Sequence, residues 1–189
     1  MTGSSGNRLY VALVHHPVID KNGETIASAV TNLDLHDIAR VCRTYGVKGY
    51  YVITPLKDQI VLANRILDHW MTGVGGTYNP KRRQALELVR VRATFDEMIG
   101  EIAEVEGCRP KTVVTTARRN TGSLSYCRLR EMLVDPTPFV LAFGTAWGLS
   151  DAFMADADYI LDPLAGVGTY NHLSVRSAVS IILDRLLGG

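Results

Sequence analysis

Cysteine is scarce and scattered. The chain holds three, Cys42, Cys108 and Cys127, with no CxxC pair and no Cys/His cluster at metal-ligand spacing. That pattern excludes a disulfide framework and a zinc site, and points to a reduced, cytoplasmic setting. No apolar run nears the roughly 18 residues that a bilayer crossing needs. Net charge is almost absent, since 20 basic and 19 acidic residues leave +1. A global field for nucleic acid is thereby excluded, whereas a local basic patch is not. Four motifs are also missing: GxGxxG after the first strand, GxxxxGK[ST], GxSxG and HExxH. Their absence argues against a Rossmann dinucleotide site, a P-loop, a nucleophile-elbow hydrolase and a zinc protease.

What remains is an ordinary globular composition, 47% hydrophobic and 21% charged over 189 residues, enough for one sizeable core. Residues 1–7 are small and polar and are expected to form a disordered tail ahead of a single domain over 8–189.

Strand and helix patterns alternate along that domain. Strands are expected at Leu9–Val14, Gly49–Thr54, Glu87–Thr94, Thr112–Thr116, Pro138–Gly144 and Tyr159–Leu164. Helices are expected at Asp34–Tyr45, Lys57–Trp70, Phe95–Val105, Ser123–Val134, Ser150–Ala157 and Ser174–Leu187. In the second of these, Ile60, Val61, Ala63, Asn64 and Leu67 suit one face. Met71–Pro80 is rich in glycine and reads as a flexible loop. About six strands alternating with helices predict an α/β fold, a mostly parallel sheet with helices on both faces. Ligands of such sheets gather at the carboxyl ends of strands. The candidate loops therefore follow Val14, Thr54, Thr116, Gly144 and Leu164.

Three segments carry candidate chemistry. GTAWGLS, Gly144–Ser150, can bring backbone N–H groups against a ligand, or can be a simple turn with Ser150 as N-cap. LDPLAGVGTYNHLSVRSA, Leu161–Ala178, joins a strand to a helix that Asn171 or Ser174 can cap. Within that helix Val175, Ala178, Val179, Ile182 and Leu186 read as core. Arg109–Arg130 carries Arg109, Lys111, Arg118, Arg119, Arg128 and Arg130 with no acidic residue, and Lys81, Arg82 and Arg83 form a second basic cluster. Each is either a solvated face or a surface for phosphates. His15 and His16 end the first strand, while His36, His69 and His172 lie elsewhere. A structural role suits each taken singly, and none forms a metal pattern.

DIARVCRTYGV, FGTAWGLSDAFMADADYILDPL and YNHLSVRSA occur in that order and together resemble three motifs of the SPOUT methyltransferase superfamily, near its tRNA ribose 2′-O-methyltransferase branch. TTARR resembles the family's first adenosine-side loop. In the first motif the branch's catalytic arginine matches Arg40. Its asparagine is replaced by Asp34, with Asn32 the nearest asparagine. Thr145 stands where that branch carries a glutamate, so the loop is similar to that of the tRNA guanine base methyltransferases. The resemblance implies a C-terminal deep trefoil knot, a homodimer whose site is completed across the interface, S-adenosylmethionine as cofactor, RNA (tRNA or rRNA) as partner and no metal or membrane. It places the cofactor on Thr115, Thr116 and Ala117, on Phe143, Gly144, Thr145, Trp147 and Gly148, on Ile160, Leu161 and Pro163, and on Leu173, Ser174 and Ala178. Arg40, Tyr170, Asn171 and His172 become the catalytic candidates. Arg118, Arg119, Lys81, Arg82 and Arg83 become the RNA contacts. The competing expectation is a knotted module that binds S-adenosylmethionine or RNA without catalysing transfer.

Overall fold

The structure, a computed structural model, describes residues 8–168 and 170–189; the expected tail at 1–7 lies outside them. The first apolar run forms β1 (Leu9–Val14), buried at every position. Beside it lie β4 (Gly49–Ile53) and β7 (Phe139–Gly144). The whole sheet runs β5 (Val89–Arg92), β4, β1, β7, β6 (Lys111–Val114), β8 (Tyr159–Ile160), with every pairing parallel. A small antiparallel pair, β2 (Val18–Ile19) and β3 (Thr25–Ile26), follows β1.

The period of two along β1 sorts its side chains between two layers. Leu9, Val11 and Leu13 pack into the layer of α1 (Asn32–Thr44), α2 (Lys57–Met71), α4 (Pro80–Leu86), α6 (Tyr126–Met132) and α8 (Val175–Leu187). Tyr10, Ala12 and Val14 meet α5 (Phe95–Glu106), α7 (Asp151–Ala155) and the β2–β3 pair. Covering on both faces explains why the central strands read as unbroken apolar runs. Truncating one of these side chains, as in Leu13→Ala, costs about 2–5 kcal/mol. Helix ends follow local rules. Thr31 caps α1 by accepting from the Asp34 amide, and Thr94 and Glu97 form a reciprocal capping box on α5.

Three expectations change. The glycine-rich stretch is not a flexible loop, because α3 (Val74–Tyr78) and α4 occupy it. Its glycines serve close packing: a Cβ on Gly76 would stand 2.2 Å from the Trp70 carbonyl oxygen. Asn79 then accepts from the Arg82 amide and Pro80 opens α4. On α2, Val61 and Asn64 face solvent, while Ala63 is buried and Ile66, Leu67 and Trp70 pack inward. The last strand stops at Ile160, short of Pro163, which cannot donate to a ladder.

Candidate cofactor cleft and a neighbouring basic pocket

The sheet grows from β1 to β4 and β5 on one side, and through β7, β6 and β8 on the other. Such a reversal of strand order opens a crevice at the carboxyl ends. A cavity of about 580 Å³ lies there, lined by segments following β3, β6, β7 and β8 and by the start of α8. Phe143, Leu164, Leu173, Ala178 and Ile182 supply apolar wall, and Thr116, Asp162 and Asn171 supply polar groups. That mixture in a cleft of this size suits a nucleoside-like cofactor.

The loop after β7 is clamped onto the β2–β3 pair. The Trp147 amide donates to the Ile19 carbonyl at 3.1 Å, and the Ile19 amide donates to the Gly148 carbonyl at 2.9 Å. Gly148 takes φ 111°, and Ala146 takes φ 51°, a left-handed conformation that non-glycine residues adopt at a cost. Gly144 has its own constraint: a Cβ there would meet the Leu149 amide nitrogen at 2.6 Å. Its glycine is required by the loop's own backbone before any ligand is considered. On the far rim, the Asn171 side-chain amide donates to the Ala117 carbonyl at 3.3 Å and ties the segment before α8 to the loop after β6. Ser174, rather than Asn171, caps α8.

Beneath the cleft runs a polar relay. The Thr145 hydroxyl donates to the Val14 carbonyl at 3.0 Å and lies 2.5 Å from the Ser28 hydroxyl, which lies 2.9 Å from His15 Nδ1. With the Thr145 proton directed at Val14, Ser28 donates to Thr145 and His15 Nδ1 donates to Ser28. His15 Nε2 is then a bare lone pair, buried and without a partner among the described residues. Burial lowers the His15 pKa to about 4, so the ring is neutral at physiological pH. Thr145 is thus committed to holding the loop against β1.

At the other end of the cleft, Arg176 of α8 reaches Asp34 of α1 at 3.0 Å and Asp37 at 3.5 Å. Beyond Asp37, between α1, α2 and α4, lies a second cavity of about 650 Å³ that includes His36, Arg40, Arg65, Trp70 and Arg82.

Most expected cofactor residues converge on the cleft: Thr115, Thr116, Ala117, Phe143, Gly144, Thr145, Trp147, Gly148, Leu173, Ser174 and Ala178 all line it, with Arg118, Asn171 and His172. Ile160, Leu161 and Pro163 do not. Ile160 packs into the layer of α5 and α7, and Leu161 is core on the opposite face. Their neighbours Asp162 and Leu164 take that wall. Tyr170 is exposed outside the cleft. Arg40 and Arg82 share the second cavity, and Arg119, Lys81 and Arg83 are exposed outside both. Sequence reasoning missed Ser28, Thr31 and Arg176 as cleft residues. Only Thr31 carried a local signal, as an N-cap before an apolar helix.

Solved structures share this fold. A methylase-family protein of Neisseria gonorrhoeae superimposes with a TM-score of 0.64 at 14% identity, covering 99% of this chain and 84% of that one. A TrmH/SpoU tRNA modifying enzyme of Aquifex aeolicus gives 0.56 at 18% identity, with 96% and 74% covered. The SpoU methyltransferase AviRb of Streptomyces viridochromogenes, solved with AdoMet, gives 0.55 at 19% identity, with 96% and 57% covered. The chain therefore has the α/β fold of these solved SpoU methyltransferases.

The family is narrower than that. Residues 8–188 match the model of a SAM-dependent RNA methyltransferase family, and the chain belongs to it. A relative named tRNA (guanine-N(1)-)-methyltransferase in Oleidesulfovibrio alaskensis is 46% identical over 183 residues, 97% of this chain. The chain spans 43% of that relative's length. An uncharacterized protein of Aquifex aeolicus is 41% identical over 179 residues, 94% of this chain and 87% of that protein.

Proposed function

We propose that this chain transfers a methyl group from S-adenosylmethionine to tRNA or rRNA in the cytoplasm, as a knotted homodimer. The observation carrying this is the cleft at the carboxyl ends of β6 and β7. It is closed by the segment before α8, in a chain of a SAM-dependent RNA methyltransferase family. Bound there, the cofactor supplies an electrophilic sulfonium methyl.

The chain's own residues do the rest. The loops after β6 and β7 and the wall of Leu164, Leu173 and Ile182 hold the adenosine side and exclude water. Alignment of acceptor and methyl can lower the barrier by several kcal/mol. Asn171 and His172, on the cleft rim, are the candidates to orient the acceptor or take its proton. Arg40 lies outside the cleft of its own chain, so it acts on the RNA from the cavity it lines or across a dimer interface. A guanidinium stays protonated, so its work there is to hold charge. Arg118 and Arg119 extend from the loop after β6, where they face RNA entering the cleft. Among the described residues no helix is long and apolar enough to cross a membrane.

The decisive experiment incubates the protein with methyl-labelled S-adenosylmethionine and unmodified tRNA and rRNA. Label in RNA is the expected result. Binding of both ligands without label in any RNA would leave a non-catalytic binding module. Light scattering should return a dimer mass; a monomer at micromolar concentration contradicts the assembly.

A further inference from the structure

The cavity between α1, α2 and α4 is separate from the cofactor cleft, and of its residues the methyl-transfer proposal uses Arg40 alone. Three arginines line it, Arg40 from α1, Arg65 from α2 and Arg82 from α4. None of the three has a carboxylate within ion-pair distance among the described residues. The one carboxylate on the wall, Asp37, is already engaged by Arg176 at 3.5 Å. Like charges gathered without counterions repel, so the free pocket carries an unsatisfied demand for an anion.

The pocket is also built rather than incidental. Arg82 is held over the Trp70 ring, 4.9 Å from its centroid, and the His36 ring meets Trp70 edge-on at 5.3 Å. His36 Nδ1 is buried there without a hydrogen-bond partner among the described residues. Burial, then the field of Arg82, lowers the His36 pKa, and Arg40 adds to the effect while Asp37 opposes it. Arg82 and Arg40 therefore both act on the His36 ring.

We propose that this pocket is a second RNA contact, in which Arg40, Arg65 and Arg82 grip a backbone phosphodiester. The proposal rests on the reading of the chain as an RNA methyltransferase. Guanidinium forks match phosphate oxygens in pairs, and a cavity of about 650 Å³ has room for an adjoining sugar as well. Its position gives the contact a purpose. Asp34 lines the cleft and Asp37 lines the pocket, one turn apart on α1, and Arg176 bridges both. A strand anchored by its phosphate in the pocket runs past Arg176 to the cleft and presents a neighbouring nucleotide there.

The test is the double variant Arg65→Gln/Arg82→Gln of the full chain, with Arg65→Lys/Arg82→Lys as the charge-retaining control. Binding of a short fluorescein-labelled single-stranded RNA is read by anisotropy across a salt series. Calorimetry with S-adenosylmethionine on the same preparation checks that the fold and cleft persist. The glutamine variant should bind RNA at least about tenfold more weakly. Its log–log salt slope should shrink by roughly 1.4, two contacts at about 0.7 each on single strands. The lysine variant should keep the slope. Unchanged RNA affinity and slope, with cofactor binding intact, overturns the proposal while leaving the methyltransferase reading standing. Two other results overturn it as well. One is a change of molecular mass without a change in RNA affinity, which would make the pocket a contact between copies of the chain. The other is a tryptophan fluorescence response to inorganic phosphate that the glutamine variant loses while its RNA affinity stays unchanged, which would make it a site for a free anion. Loss of cofactor binding in the unmodified chain counts instead against the methyltransferase reading.

Discussion

The Arg176 guanidinium sits 3.0 Å from the Asp34 carboxylate and joins the first turn of α8 to the first turn of α1 across the end of the cleft. Asp34 is 7% exposed at its side chain, against 33% for Arg176, so the carboxylate depends on its partner far more than the reverse. The Thr31 hydroxyl donates a further bond to it at 2.7 Å.

Removing Arg176 should therefore strand a buried charge. Arg176→Met is expected to cost about 1–3 kcal/mol, below the 3–5 of a fully buried pair because water reaches the guanidinium. Asp34→Asn with Arg176→Met should recover most of that loss. Urea denaturation of the unmodified protein and the two variants measures it, and a double variant no more stable than Arg176→Met contradicts the argument.

Gly144→Val should abolish cofactor binding. The side chain would drive its Cβ into the Leu149 backbone, shifting the loop that carries Thr145, Trp147 and Gly148 along the cleft. The unmodified protein should bind S-adenosylmethionine and its demethylated product in the micromolar range, about −8 kcal/mol or weaker. Calorimetry showing no heat from a folded wild-type protein would exclude the cofactor assignment. Undiminished binding by the variant would displace the ligand from this loop.

Arg40→Ala should leave cofactor affinity nearly unchanged, since Arg40 lines the second cavity and not the cleft. Methyl transfer should fall at least about tenfold, or roughly 1.4 kcal/mol of barrier. Single-turnover transfer to the RNA substrate measures this. Full transfer activity would remove Arg40 from the reaction.

Acid should destabilise the fold through His15. Its pKa is lowered to about 4 in the folded chain against about 6.5 when unfolded, so between those values the unfolded state binds more protons. The stabilisation from the neutral ring is present above about pH 6.5 and is lost as pH falls towards 4. At pH 5 the loss amounts to about 2 kcal/mol relative to pH 7.5, in the linkage treatment. His36, whose pKa is also lowered by burial, acts in the same direction. Denaturation of wild type and His15→Gln at both pH values isolates the term. An equal pH dependence in the two proteins would refute it.

The element order and the cleft loops were legible in the sequence because their causes are local. Six apolar residues at Leu9–Val14 had to be a buried strand, and Thr94 with Glu97 had to open a helix, whatever lay around them. Gly144, which ends an apolar strand and opens a glycine-containing turn, marked the cleft by the same kind of local signal. The stretch from Gly73 to Pro80 misled because glycine reads alike whether it loosens a chain or lets backbone pass close to backbone. Only the Trp70 carbonyl beside Gly76 decides between them. Long-range pairings had no sequence signal either. Arg176 looked like one more helix residue until α8 packed against α1 and set it on Asp34, 142 positions away. Arg40, Arg65 and Arg82 were three dispersed charges until three helices brought them to one cavity. Propensity and capping act over a few residues and can be read from them, whereas the field inside a pocket sums charges that only the completed packing brings together.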